Sequence, residues 1–143
     1  MRISVSSDMD LPVARSLVTE LRSRGHEVTT YGALAPGDDP QWAVCTEAAA
    51  RDLAAGNADQ AVVCCWTGTG ASIAANKVPG VRAALCTDAY TAEGARRWND
   101  ANALALSLRL TSEPLLNEIL DAWFAAEPSK DEADRQNIAR VSR

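Results

Sequence analysis

The segment Val62-Val63-Cys64-Cys65-Trp66-Thr67-Gly68-Thr69-Gly70-Ala71-Ser72 holds the residues of this chain best suited to chemistry. It reads as a strand, a tight loop and the start of a helix. Two glycines let successive backbone N–H groups turn toward one point. A helix start adds the positive end of its dipole, so the loop is built to hold an anion. Cys65 stands just before it, and a thiolate at a helix N-terminus can act as a base or a nucleophile. On these residues alone, two plainer readings stand beside the chemical one: a structural turn for the loop, and a small buried hydrophobe for Cys65. Cys64 is expected to be such a hydrophobe. The glycine spacing fits neither a Walker loop nor a dinucleotide fingerprint, and Lys77 comes too late for the former.

The elements that would position this segment alternate along the chain. Strands are expected at Ile3–Ser6, Glu27–Tyr31, Gln60–Cys65, Val81–Cys86 and Ala103–Ser107. Leu11, Ala14, Leu17, Val18 and Leu21 recur at helical spacing and predict a helix over Leu11–Arg24, ended by Gly25. Further helices are expected over Gln41–Ala55, about Ala71–Lys77, Ala89–Trp98 and Ser112–Ala126. The last has Ser112 as N-cap and Pro114 in its first turn. From about residue 128 the chain is highly charged and predicts a helical tail. This order predicts one α/β domain over 1–143: a three-layer sandwich with a Rossmann-like, five-stranded parallel sheet and helices on both faces. Such sheets place ligands at the carboxyl ends of their strands. That rule selects Ser7-Asp8-Met9, Gly32–Asp39, Trp66–Gly70 and Thr87-Asp88.

The 143 residues can bury roughly 68–70% of the unfolded surface, enough to fold without disulfides or a metal. Alanine supplies much of the 47% hydrophobic content, which suits helices packed closely on a sheet. A net charge of -5 argues against non-specific nucleic-acid binding. No apolar run reaches the ~18 residues of a membrane helix, and the N-terminus reads as a strand and not as a secretory signal. The four cysteines show no zinc-type spacing and suit a reducing, cytoplasmic setting. Neither a metal nor a cofactor is expected.

Gly68-Thr69-Gly70-Ala71-Ser72-Ile73-Ala74-Ala75-Asn76-Lys77-Val78-Pro79-Gly80-Val81-Arg82-Ala83-Ala84-Leu85-Cys86 closely resembles the core signature of the type B ribose-5-phosphate isomerases and galactose-6-phosphate isomerases. Ala95-Arg96-Arg97-Trp98-Asn99-Asp100-Ala101-Asn102 resembles a second signature, in which Arg-Glu-His-Asn-Asp-Ala-Asn is typical. The resemblance implies an aldose–ketose isomerase that acts on a phosphorylated sugar through an enediolate. Cys65 falls on the family's base, and Ala71 stands where another branch has a glutamate. Thr67 falls on the residue that assists ring opening and proton transfer to oxygen. Gly68, Thr69 and Gly70 fall on the anion hole, and Asp8 on an aspartate that contacts substrate hydroxyls. Asn99 matches an asparagine near the reacting oxygens. Arg109 and Arg140 match phosphate-binding arginines often supplied across a dimer interface, with Arg135 as a further candidate. A homodimer or a dimer of dimers is implied.

Four places in the chain depart from that pattern. The family's Ser-Asp-His-Ala-Gly is Ser7-Asp8-Met9-Asp10-Leu11 here, and the histidine of the second signature is Trp98. The glycine after the cysteine is Trp66, and Tyr-Pro-Asp is Asp39-Pro40-Gln41. The only histidine, His26, opens the second strand and reads as structural. Without histidines to help open a furanose ring, and with Trp66 and Trp98 as substrate-facing walls, the expected substrate is altered from ribose 5-phosphate. A shorter or open-chain sugar phosphate, such as a tetrulose phosphate, fits this reading. The histidine losses also suit a different one: a non-catalytic sugar-phosphate binder, or a partner subunit of a hetero-oligomeric isomerase.

Overall fold

The chain places its largest apolar side chains on one face of each strand and small ones on the other, and the sheet inherits that asymmetry. The computed structural model describes residues 1–143. Its strands are β1 (Arg2–Ser7), β2 (Glu27–Gly32), β3 (Gln60–Cys65), β4 (Ala83–Leu85) and β5 (Ala103–Ser107). They form one parallel sheet in the order β2-β1-β3-β5-β4. The helices are α1 (Pro12–Ser23), α2 (Trp42–Ala54), α3 (Thr69–Asn76), α4 (Ala89–Asn99), α5 (Glu113–Ala125) and α6 (Glu132–Val141). The order of elements, the parallel pairing and the layers are those expected from the sequence.

Alternation along the strands assigns the two faces. Ile3, Val5, Val62, Cys64, Leu104 and Leu106 pack with Leu17, Leu21, Leu116, Ile119, Leu120 and Trp123 of α1 and α5. Ala61, Val63, Cys65, Ala103 and Ala105 pack with Ala49, Ala50, Ala71 and Ala75 of α2 and α3. Alanine against alanine brings these two helices close to the strands, which puts the start of α3 directly beside the end of β3. Polar bonds fix α2 along the sheet. The Asp52 carboxylate accepts from Ser4 Oγ at 3.0 Å and from the Tyr31 hydroxyl. Burial, together with that carboxylate, raises the Tyr31 pKa to about 12.

Two boundaries differ from expectation for identifiable reasons. β4 has three residues where six were expected, because side chains capture the backbone before it. The Arg82 N–H donates to Asn102 Oδ1 at 2.7 Å, and Ala83 N–H donates to Asn76 Oδ1 at 2.8 Å. α3 begins at Thr69, earlier than Ala71, because Gly68 is left-handed at φ 76° and turns the chain at once. Ser112 caps α5 as expected, accepting from Leu115 N–H at 3.3 Å, with Pro114 in the first turn. The charged tail contains α6, which buries no residue and packs on α4. No helix is long and apolar enough to cross a membrane.

Candidate active site

β1 has β2 on one side and β3 on the other, so the chain changes direction across the sheet between the ends of β1 and β3. This is the switch point where open α/β sheets bind ligands. Asp8 leaves β1 there, and Cys65 and Trp66 end β3. A pocket of about 270 Å³ lies between them, lined by Asp8, Trp42, Cys65, Trp66, Thr67, Thr69 and Gly70.

An α-helix leaves its first four N–H groups without intrahelical partners. In α3 these belong to Gly68, Thr69, Gly70 and Ala71. The Ala71 N–H donates to Cys65 Sγ at 3.4 Å. The other three have no acceptor within the chain and remain available to an anion at the positive end of the helix. Cys65 is buried but borders the pocket, so one backbone N–H already addresses its sulfur. Beside it, Thr67 Oγ1 and Thr69 Oγ1 lie 2.8 Å apart and share a hydrogen bond.

Neighbouring elements hold this loop in place. The Leu108 N–H donates to the Cys65 carbonyl at 3.0 Å, and the Arg109 N–H donates to the Trp66 carbonyl at 2.9 Å. Ser107 Oγ donates to that same carbonyl at 3.0 Å. A Cβ at Gly68 would lie 2.5 Å from Leu85 Cδ1 and 2.9 Å from the Leu106 carbonyl carbon, so this position must be glycine for space as well as for φ. Asp8 Oδ1 is buried without a hydrogen-bond partner, and burial pushes its carboxyl above the ordinary aspartate range.

Cys64 faces the opposite core, and burial drives its thiol well above the ordinary range. Cys86 and Cys45 are pushed up in the same way, to about 12 and about 11. His26 sits at the far end of the sheet, its Nδ1 3.2 Å from the N-terminal amine and its ring centroid 4.7 Å from that of Phe124.

The site residues expected from sequence fall into three groups. Asp8, Cys65, Trp66, Thr67, Thr69 and Gly70 line one pocket, and Gly68 turns the chain between them against Leu85 and Leu106. Arg109 is tied to that pocket through its backbone, while its exposed guanidinium has no ion-pair partner. Trp98 and Asn99 line a separate depression of about 360 Å³ with Tyr90, Gly94 and Leu85. There the Trp98 indole folds back over Gly94, leaving 2.6 Å between its ring and the place of a Cβ, and meets Tyr90 edge-on at 6.0 Å. Arg140 is exposed on α6, outside both depressions. The pocket also contains a residue that the sequence reading did not single out, Trp42, the first residue of α2. Its position next to the Asp39-Pro40-Gln41 departure was the one available signal.

Residues 3–141 match the family described as Ribose/Galactose Isomerase. The D-erythrulose-4-phosphate isomerase of Pectobacterium atrosepticum is 34% identical over 128 residues, covering 89% of this chain and 84% of that protein. Ribose-5-phosphate isomerase B of Escherichia coli is 38% identical over 113 residues, covering 78% of this chain and 74% of that one. Among solved structures, ribose-5-phosphate isomerase B of Clostridium thermocellum superposes with a TM-score of 0.89 at 34% identity, covering 99% of this chain and 95% of the other.

Proposed function

This chain belongs to the ribose/galactose isomerase family, and from that premise we propose that it interconverts the aldose and ketose forms of a short sugar phosphate at the Cys65 pocket. The observation that carries the site assignment is the Cys65 sulfur, which borders the pocket beside three unpartnered N–H groups of α3. Isomerisation moves a proton between adjacent carbons. It needs a base beside the C–H bond and donors at the developing oxyanion.

In the reading offered here, the Cys65 thiolate takes the proton from the carbon next to the carbonyl. The C–H electron pair becomes the C=C bond of an enediolate, and the carbonyl π pair moves onto oxygen. The N–H groups of Gly68, Thr69 and Gly70 receive that charge. Thr67, hydrogen-bonded to Thr69, relays a proton between the two oxygens. The thiol then returns its proton to the neighbouring carbon. Asp8 orients the hydroxyls, and Arg109, whose backbone is bonded to the Trp66 carbonyl and whose guanidinium has no ion-pair partner, receives the phosphate.

The substrate we favour has four carbons and a free carbonyl. Its support is the absence of any histidine near the pocket and the pocket's small volume, below the ~300–1,000 Å³ of drug-sized ligand sites. A panel of four-, five- and six-carbon aldose and ketose phosphates, assayed in deuterated solvent, tests both points. Turnover with deuterium entering the carbon next to the carbonyl is expected for a tetrulose phosphate and its aldose. Ribose 5-phosphate is expected to react more slowly, since acid–base help with ring opening is typically worth ~10²–10⁴-fold. Equal efficiency on ribose 5-phosphate would refute the substrate assignment, and no exchange on any phosphate would refute catalysis.

Arg140 does not line the Cys65 pocket of its own chain, which supports a site completed by a second copy in a symmetric dimer. Cys65→Ala and Arg140→Ala chains, each inactive alone, are then expected to complement when mixed. A random 1:1 dimer population would regain about a quarter of wild-type sites. An active monomer, or mixing without recovery, would show that Arg140 is not shared.

A further inference from the structure

Trp42 is the one large side chain in the pocket that does not come from the loop carrying the thiol. It opens α2, and its indole rests on the backbone of Gly70. A Cβ placed there would lie 2.9, 3.1 and 3.2 Å from three ring carbons. Gly70 is thus a seat for the indole as well as part of the anion loop. The ring remains 47% exposed, as does that of Trp66, and neither joins the apolar clusters that pack the two faces of the sheet. Two half-uncovered indoles therefore wall a cavity of about 270 Å³ whose other surfaces are the thiol, the Asp8 carboxyl and two threonines. Indoles bury large area with few rotatable bonds, so a ligand that covers them gains contact at low entropic cost.

We propose that Trp42, seated on Gly70, determines specificity by setting the length of sugar phosphate that fits between the anion loop and α2. The proposal rests on the isomerase reading and deepens it. An acyclic carbon chain with its reacting carbons at Cys65 and the α3 N–H groups extends along the indole wall. That wall limits how many further carbinol units are admitted before the phosphate. One methylene more or less against a hydrophobic pocket wall is worth about 10–200-fold in kcat/KM. Trp42 is placed to exert an effect of that size without touching the reacting atoms.

A matched pair of ketose phosphates isolates length from ring opening. A 2-ketotetrose 4-phosphate and a 2-ketopentose 5-phosphate are both acyclic: the tetrose is too short to close a furanose, and in the pentose the phosphate occupies the 5-hydroxyl that would close one. kcat/KM for each is measured with wild type, Trp42→Phe and Trp42→Ala, with solvent-deuterium incorporation followed in parallel. The wild type should prefer the four-carbon substrate. Trp42→Ala should shift the ratio toward the five-carbon substrate by about tenfold or more, with Trp42→Phe between the two. Deuterium incorporation should persist in both variants, since the thiol and its loop are intact. A ratio that moves by less than about twofold in both variants, or activity lost equally on the two substrates, overturns the role of Trp42. Wild-type protein that incorporates no deuterium from either substrate overturns the isomerase reading itself, a separate outcome. Should Trp42→Ala fail to fold, the phenylalanine variant gives the same comparison, because its smaller ring still occupies the seat on Gly70.

Discussion

Replacing Cys65 by alanine is expected to lower turnover by about 10²–10⁴-fold, the range typical of a positioned base. Ligand affinity should be largely retained, because the donors of α3 and the Asp8 carboxyl remain. The measurement is proton exchange with solvent at the carbon next to the carbonyl, which reports the step assigned to the thiol and no other. Cys65→Ser keeps the size and the Ala71 N–H contact but supplies a far weaker base, so it should resemble alanine. The adjacent thiol is the internal control. Cys64 faces the other core, so Cys64→Ala should lower the unfolding midpoint while exchange proceeds normally. Exchange that survives in Cys65→Ala would remove the thiol from the mechanism.

The second large effect is expected at Gly68. An alanine there must adopt φ near 76°, a left-handed conformation that costs about 1–2 kcal/mol. Its methyl group would also press on Leu85 and on the backbone of Leu106, and overpacking of this kind typically costs about 1–3 kcal/mol. Against a total stability of about 5–15 kcal/mol, the loss should be plain in a urea titration. Any relaxation that relieves the clash must also move the N–H groups of Thr69 and Gly70. Each misdirected oxyanion donor costs about 10²–10³-fold in kcat. A Gly68→Ala protein with wild-type midpoint and activity would mean that the loop does not depend on this conformation.

The order of elements along the chain was legible because period-2 and period-3.6 stretches alternate cleanly and two of the helices end at visible stops, Gly25 and Gly56. The pocket was legible as far as one segment carried it, since Cys65, Thr67 and the two glycines are neighbours in sequence. What lay beyond reach is what packing decides. The Asn76 and Asn102 side chains in the two signatures clasp backbone at Ala83, Arg82 and Gly80. Those stretches are therefore as much structural as chemical, a distinction that pattern cannot draw. Gly94, one turn before Trp98, leaves room for its indole to lie on its own helix, a placement that pattern alone does not give. Trp42 is marked locally only by the Asp39-Pro40-Gln41 departure beside it. Its importance comes from Gly70, 28 positions later, through the close approach of α2 and α3 that their alanines permit.

The anchoring of α2 through Asp52 carries an evolutionary implication. Asp52 is ten residues from Trp42, about 15 Å along the helix, and it bonds to Ser4 in the middle of β1 and to Tyr31 of β2. The reactive loop, by contrast, is laced to the β5 turn. The element that bears the indole wall and the element that bears the base are thus fastened to different parts of the scaffold. Substitutions in the Asp52–Ser4–Tyr31 tie act on the wall through α2, while the loop keeps its own bonds to the β5 turn and meets the wall only where the indole sits on Gly70. A lineage with this architecture can explore new sugars through one helix while its proton-transfer machinery stays under unchanged selection.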